Sequence, residues 1–95
     1  MAVCFEWDER KNQANIRNHG LDFADAPEVF LSPMLIRQDT RKEYGEDRWI
    51  GIGVTRGRVV VMVWTERGHG QTVRVISMRK ALKHERKRFE EEIPD

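Results

Sequence analysis

The first apolar block, "VCFEW" (Val3 to Trp7), is short and gives way at once to polar residues, so it reads as a strand. Asp8 follows as an N-cap whose carboxylate can accept N–H groups of the first helical turn. "ERKNQANIRNH" then predicts a helix, and Gly20 ends it as a left-handed residue. Ala14 and Ile16 are its only aliphatic residues, which suits a surface element with one shallow contact line. Asp22 and Asp25 imitate a capping box before Phe23, Ala26, Pro27 and Phe30, which share one helical face. Pro27 at the fifth helical position would remove an internal hydrogen bond. A short or distorted second helix ending before Ser32-Pro33 is therefore expected.

Beyond Pro33 the pattern changes to strands. "MLIRQD" alternates imperfectly, "TRKEYGED" is a polar loop, and "RWIGIGV" carries Gly51 and Gly53 on one face, as close packing requires. "TRGR" is a hairpin turn. "VVVMVWTE" is apolar on both faces, as in a central strand. "RGHGQ" turns the chain again and "TVRVISM" pairs back. Short turns between the last three strands predict an antiparallel β-meander. A final helix is expected over 80–92, with Met78, Leu82, Phe89 and Ile93 as its apolar stripe. The whole, residues 1–95, is expected to be a single α+β domain with two N-terminal helices and a C-terminal helix, the helices mainly on one sheet face.

Charge changes this picture. The net charge is only +1, yet residues 74–88 hold seven Lys/Arg against one carboxylate, Glu85, while residues 1–36 hold six acids and three bases. An acidic front and a basic back can attract a polyanion locally without making the whole surface adhesive. One cysteine, Cys4, excludes an internal disulfide framework. No apolar run approaches membrane length and no signal peptide is evident, so the cytoplasm is the expected compartment and no membrane partner is expected. Three histidines without paired ligand spacing argue against a zinc site, and no metal or cofactor is expected. Phosphate-binding loops, dinucleotide fingerprints and Gly-x-Ser-x-Gly elbows are absent from the chain.

The candidate chemistry lies among the basic residues. A hairpin closed by "RGHGQ" brings Glu66 and Arg67 back near residues 72–74, so Arg67, Arg74 and Glu66 are expected to cluster. Arg79 lies farther along. In a regular strand Arg74 and Arg79 would face opposite ways. Arginine forks around phosphate and keeps its charge in any surroundings, so such a cluster can bind a phosphodiester; the simpler reading is a solubilising surface whose arginines pair with nearby acids, since charged faces are common. Glu85 falls on the apolar stripe of the last helix and needs a partner, either as a clamp for a sheet arginine or as a base. His19 ends the first helix, where it can serve as a cap or move protons. Lys11 sits two turns before it, as a possible RNA contact or a solvated side chain. Trp7, Trp49 and Trp64 read as core or sheet-face residues, with base stacking open to one of them.

Three blocks together resemble the BrnT family of type II toxins. "FEWDERKNQANIRNHGLDF" resembles its opening through Trp7, Asp8, Lys11, Asn12, Asn15, His19 and Gly20, with Asn18 where a basic residue is usual. "YGEDRWIGIG" resembles its centre through Tyr44, Gly45, Glu46, Arg48 and Gly53. "VVVMVWTERG" and "VRVISMRKALKHERKRFE" resemble its closing block through Arg74, Ile76, Ser77, Arg79, Ala81, Glu85, Phe89 and Glu90, with Met78 for the usual Ala and Phe89 for the usual Tyr. The resemblance implies a RelE/ParE-like fold and a metal-independent endoribonuclease that inhibits translation. It also implies a BrnA-like antitoxin in a 2:2 complex, and operator DNA bound through that antitoxin. By resemblance Arg67, Arg74 and Arg79 would contact the phosphate and transition state, with His19 and Glu66 as proton-transfer candidates. Lys11, Tyr44, Lys80 and Lys83 would contact RNA. The alternative is a non-catalytic RelE-fold binding module that acts on another target or partners a DNA-binding repressor.

Overall fold

A computed structural model describes residues 3–93. The order is β1 (Cys4–Glu6), α1 (Glu9–His19), a 3-10 turn (Phe23–Asp25), α2 (Ala26–Leu31), β2 (Leu35–Gln38), β3 (Arg48–Thr55), β4 (Arg58–Arg67), β5 (Thr72–Lys80) and α3 (Lys83–Glu92). The five strands form one mixed sheet in the order β1-β5-β4-β3-β2. The pairs β2–β3, β3–β4 and β4–β5 are antiparallel. β1 joins the far edge of β5 in parallel, with Glu6 beside Arg74. Proximity in sequence gives no hint of that pairing, because α1, α2 and three strands separate the two.

Local chemistry accounts for the helices. Asp8 caps α1 by accepting from the Arg10 and Lys11 N–H groups, and Gly20 ends it at φ 69°. The polar helix is fastened by two buried asparagines. Asn12 accepts from Phe23 N–H and donates to Asp22, while Asn15 donates to the Leu21 carbonyl and accepts from Met78 N–H. Pro27 does not interrupt a longer helix as expected. A 3-10 turn intervenes, α2 restarts at Ala26, and Pro27 occupies its first turn, where a missing N–H costs nothing.

The main core fills the space between the sheet and α1–α2. It joins Leu21, Phe23, Ala26 and Val29 to Val60, Met62, Trp64, Val73, Val75 and Met78. Trp7 packs edge-on against Phe23, and Phe30 edge-on against Trp64. Gly51 and Gly53 let this layer close. A β-carbon on Gly51 would lie 2.7 Å from the Trp64 ring, and one on Gly53 would lie 2.9 Å from Met34. The opposite face carries a smaller cluster of Ile50, Val61 and Val63, flanked by Ile52, Ile76 and Ala81.

The C-terminal helix departs from expectation. β5 continues to Lys80, so α3 begins at Lys83 rather than near 80. Met78 is a strand residue buried under α1, and Leu82 is 54% exposed, so the proposed stripe reduces to the buried Phe89.

Candidate functional site

Strand β5 carries a defect that determines the site. Trp64 pairs with Val75 but Val63 pairs with Ser77, which leaves Ile76 as an extra residue. Such a bulge shifts the alternation of a strand by one. Val73, Val75 and Met78 are buried on the helix-covered face, although 75 and 78 differ in parity. Arg74 precedes the bulge and Arg79 follows it, so both emerge on the face away from α1 and α2. The expectation that they point apart is corrected by this one inserted residue. Arg67, two residues beyond Thr65 and opposite Thr72, shares that face.

The arginines form two groups. Glu6, brought alongside by the parallel pairing of β1, accepts from Arg74 at 2.7 Å and lies 3.6 Å from Arg67. Two guanidinium groups thus share one carboxylate. Arg79 lies farther along, opposite Val61, whereas Arg74 lies opposite Thr65. Four residues of strand separate those partners, about 13 Å at ~3.3 Å per residue. Arg79 grips Glu85 with two prongs, at 2.7 and 2.9 Å, and donates to the Lys80 carbonyl at 3.2 Å. Glu85 also accepts from the Leu82 N–H, closing the first turn of α3. These bonds, the Arg79 pair foremost, hold the Glu85 carboxyl at about 2, while they push Arg79 upward.

The β2–β3 loop adds further cations. Arg41 binds the buried Asp39 through Nε and Nη2, both at 2.8 Å, and Tyr44 donates its hydroxyl to the same acid at 3.1 Å. The Arg41 pair holds Asp39 far below the ordinary carboxylate range. The positive field of Arg41 also reaches Arg79 and opposes its charge. Arg48, opposite Thr65, pairs with Glu46 at 3.2 Å and lies 4.1 Å above the Tyr44 ring. Beside Arg67 a cleft of about 500 Å³ is lined by Asp47, Trp49, Thr65, Glu66 and His69.

Not every expected residue joins this face. Lys11 and His19 are exposed on α1, which packs against the other side of β5. Glu66 alternates with Arg67 and turns toward Trp64, whose indole N–H donates to it at 3.3 Å. The expected grouping of Glu66 with Arg67 and Arg74 is therefore replaced by Glu6. Lys80 and Lys83 are exposed on either side of the turn from β5 into α3, but Lys80, opposite Val60, alternates with Arg79 and lies on the α1–α2 side of the sheet. Tyr44 is half-buried beneath Arg48. Sequence reasoning missed Glu6, because only the parallel pairing gives it a role, and it missed Arg41; Arg48 appears only as part of the resembling central block, with no role. An Asp39–Arg41 pair two residues apart was the one available local signal.

Among the described residues no group of three or more His, Cys, Asp or Glu is placed to hold a metal ion, and no helix is long and apolar enough to cross a membrane. The arrangement offers guanidinium donors on a rigid sheet, each held in place by an acid that a stronger anion could displace. A family model described as "Ribonuclease toxin, BrnT, of type II toxin-antitoxin system" matches residues 7–85. No curated protein gives a significant match.

Proposed function

The chain belongs to the BrnT family of ribonuclease toxins of type II toxin–antitoxin systems, and on that premise we propose that it cleaves RNA without a metal ion on the face shared by Arg67, Arg74 and Arg79. The carrying observation is the bulge at Ile76, which turns Arg74 and Arg79 to the same side. The chemistry is an in-line displacement. The RNA 2′-hydroxyl gives up its proton, its oxygen bonds to the adjacent phosphorus, and the bond from phosphorus to the 5′-oxygen breaks as that oxygen gains a proton. The products are a 2′,3′-cyclic phosphate and a 5′-hydroxyl. Arg67 and Arg74 neutralise the charge that builds on the phosphorane-like transition state. Glu6, freed from them by the incoming phosphate, is the carboxylate best placed to take the 2′-proton.

A RelE-like architecture, inhibition of translation and control by a BrnA-like antitoxin in a 2:2 complex belong to the same reading. Lys83, Lys87 and Arg88 add positive charge along α3, and an acidic or amphipathic antitoxin segment that covered this surface would also occlude the substrate. The test is cleavage of RNA by the purified chain in EDTA. The Arg74→Ala/Arg79→Ala double variant, shown to be folded by circular dichroism, should lose that cleavage. Undiminished cleavage by the folded double variant removes the site. The pairing of all three arginines with acids favours a second reading, a binding module without catalysis. Growth arrest without cleavage of RNA, alone or with ribosomes, would select it.

A further inference from the structure

Three arginines on one face suggest a single clamp around one phosphate. The geometry points to something else: two separate phosphodiester subsites along β5, with Arg67 and Arg74 holding one linkage and Arg79 another linkage of the same single strand. This inference rests on the ribonuclease reading and specifies how its substrate lies.

Three observations carry it. The first is distance. The backbone positions of Arg74 and Arg79 are about 13 Å apart along the strand, by ~3.3 Å per residue between their partners Thr65 and Val61. The second is direction. Arg74 leans across to Glu6 on β1, and Arg67 approaches the same acid from β4. Arg79 leans the other way, toward Glu85 on α3 and the Lys80 carbonyl. The groups diverge, and no acid is common to both. The third is company. Arg74 shares Glu6 with Arg67, which edges the cleft beside Thr65, whereas Arg79 stands at the end of β5 near Lys83, the first residue of α3, and holds that helix's Glu85. Each subsite therefore has its own resident carboxylate, Glu6 in one and Glu85 in the other.

Between the two, on the same face, lies the bulge with Ser77 directed away from the helix-covered core. An extended strand of RNA spanning both subsites would place its intervening nucleotide over this stretch. A duplex presents its phosphates along a curved backbone on which bases are paired and unavailable to the cleft, so the arrangement suits unpaired RNA. The subsite beside Glu6 is assigned the scissile linkage, because it alone combines two guanidinium groups with a half-exposed carboxylate. The Arg79 subsite holds a flanking linkage and fixes register.

The experiment uses the whole chain and a short 2′-O-methyl oligoribonucleotide, which cannot be cleaved because its 2′-oxygens are blocked. Each linkage in turn is made a neutral methylphosphonate. Binding is measured for the unaltered chain and for the Arg74→Ala and Arg79→Ala variants, with Arg79→Lys as a charge-conserving control for folding. On the unmodified oligomer each alanine variant should weaken binding and reduce the salt slope by about one. The double variant should weaken it by the product of the two factors, within about twofold, as distant sites do. The Arg74→Ala penalty should vanish when one linkage is neutral, and the Arg79→Ala penalty when a different linkage is neutral. Disappearance of both penalties at one common linkage overturns the two-subsite assignment, as does failure of every linkage to remove either penalty. If that chain still cleaves unmodified RNA, the ribonuclease reading stands and only the subsites fall. A chain that neither binds nor cleaves RNA loses both.

Discussion

The side chain of Asn15 accepts the backbone N–H of Met78 at 3.2 Å, and this bond joins α1 to the strand that carries the arginines on its other side. β1 covers the edge of β5 only as far as Arg74, so Met78 has no strand on that flank and Asn15 takes its place. The same amide donates to the Leu21 carbonyl at 2.9 Å. Asn15→Ala would leave both backbone groups buried without partners, at a cost of about 1–3 kcal/mol. Urea denaturation should show the lower midpoint, and cleavage should decline with the folded population.

The Arg79–Glu85 pair makes stability depend on acidity in a defined window. Hydrogen bonds from Arg79, then that of Leu82, hold the Glu85 carboxyl at about 2 against an ordinary 4.5. Its contribution is complete above the ordinary value and drains away as pH falls through about 2. Solvent reaches Arg79, whose side chain is 38% exposed, so the stabilisation is discounted to about 1 kcal/mol. Glu85→Gln should lower stability by that amount near neutral pH. It should also flatten the acid limb of the unfolding profile between pH ~4.5 and ~2, as read by thermal melts at stepped pH.

Loss of a guanidinium that contacts the transition state should be far larger in rate than in stability. Arg74→Ala should reduce the cleavage rate by about 10²-fold or more while leaving the melting temperature close to that of the parent. Arg74→Lys should recover only part of it, because an ammonium group has no fork. His19→Ala, on the helix behind the sheet, should change the rate by much less than the ~10²-fold expected for loss of a proton-transfer group. Single-turnover cleavage of a fluorescent RNA separates the two cases.

Gly51→Ala tests the closure of the main core. Its β-carbon would meet Trp64 at 2.7 and 2.9 Å and the Met34 sulfur at 3.1 Å. Trp64 cannot retreat, since it is 1% exposed and Phe30 stacks edge-on against it at 5.4 Å. A loss of about 1–3 kcal/mol is expected, typical of overpacking, with a lower denaturation midpoint and an unchanged slope.

Local signals made much of the architecture legible. α1 begins and ends where Asp8 and Gly20 predict. The turn at Arg56-Gly57 and the two hairpins follow from glycine placement. What stayed hidden depends on contacts between distant segments. Strict alternation sends Arg74 and Arg79 to opposite sides, and nothing in "VRVISMRK" marks Ile76 as supernumerary. The bulge lets Met78 rejoin the core beneath α1, a contact invisible in the local sequence. Glu6 likewise has no visible role until β1 lies beside β5. Glu85 was legible as a carboxylate in need of a partner, and Arg79 is that partner. The stripe that suggested it was not, because Met78 belongs to the strand.

Glu6 lies between Arg67 and Arg74, and in the proposed mechanism it would bear on turnover as well as on binding. A pair of bare guanidinium groups would grasp a cleaved strand as firmly as an intact one. In the proposed site, a tethered carboxylate ready to reoccupy the same donors would exchange the departing product for an internal anion and reset the catalyst.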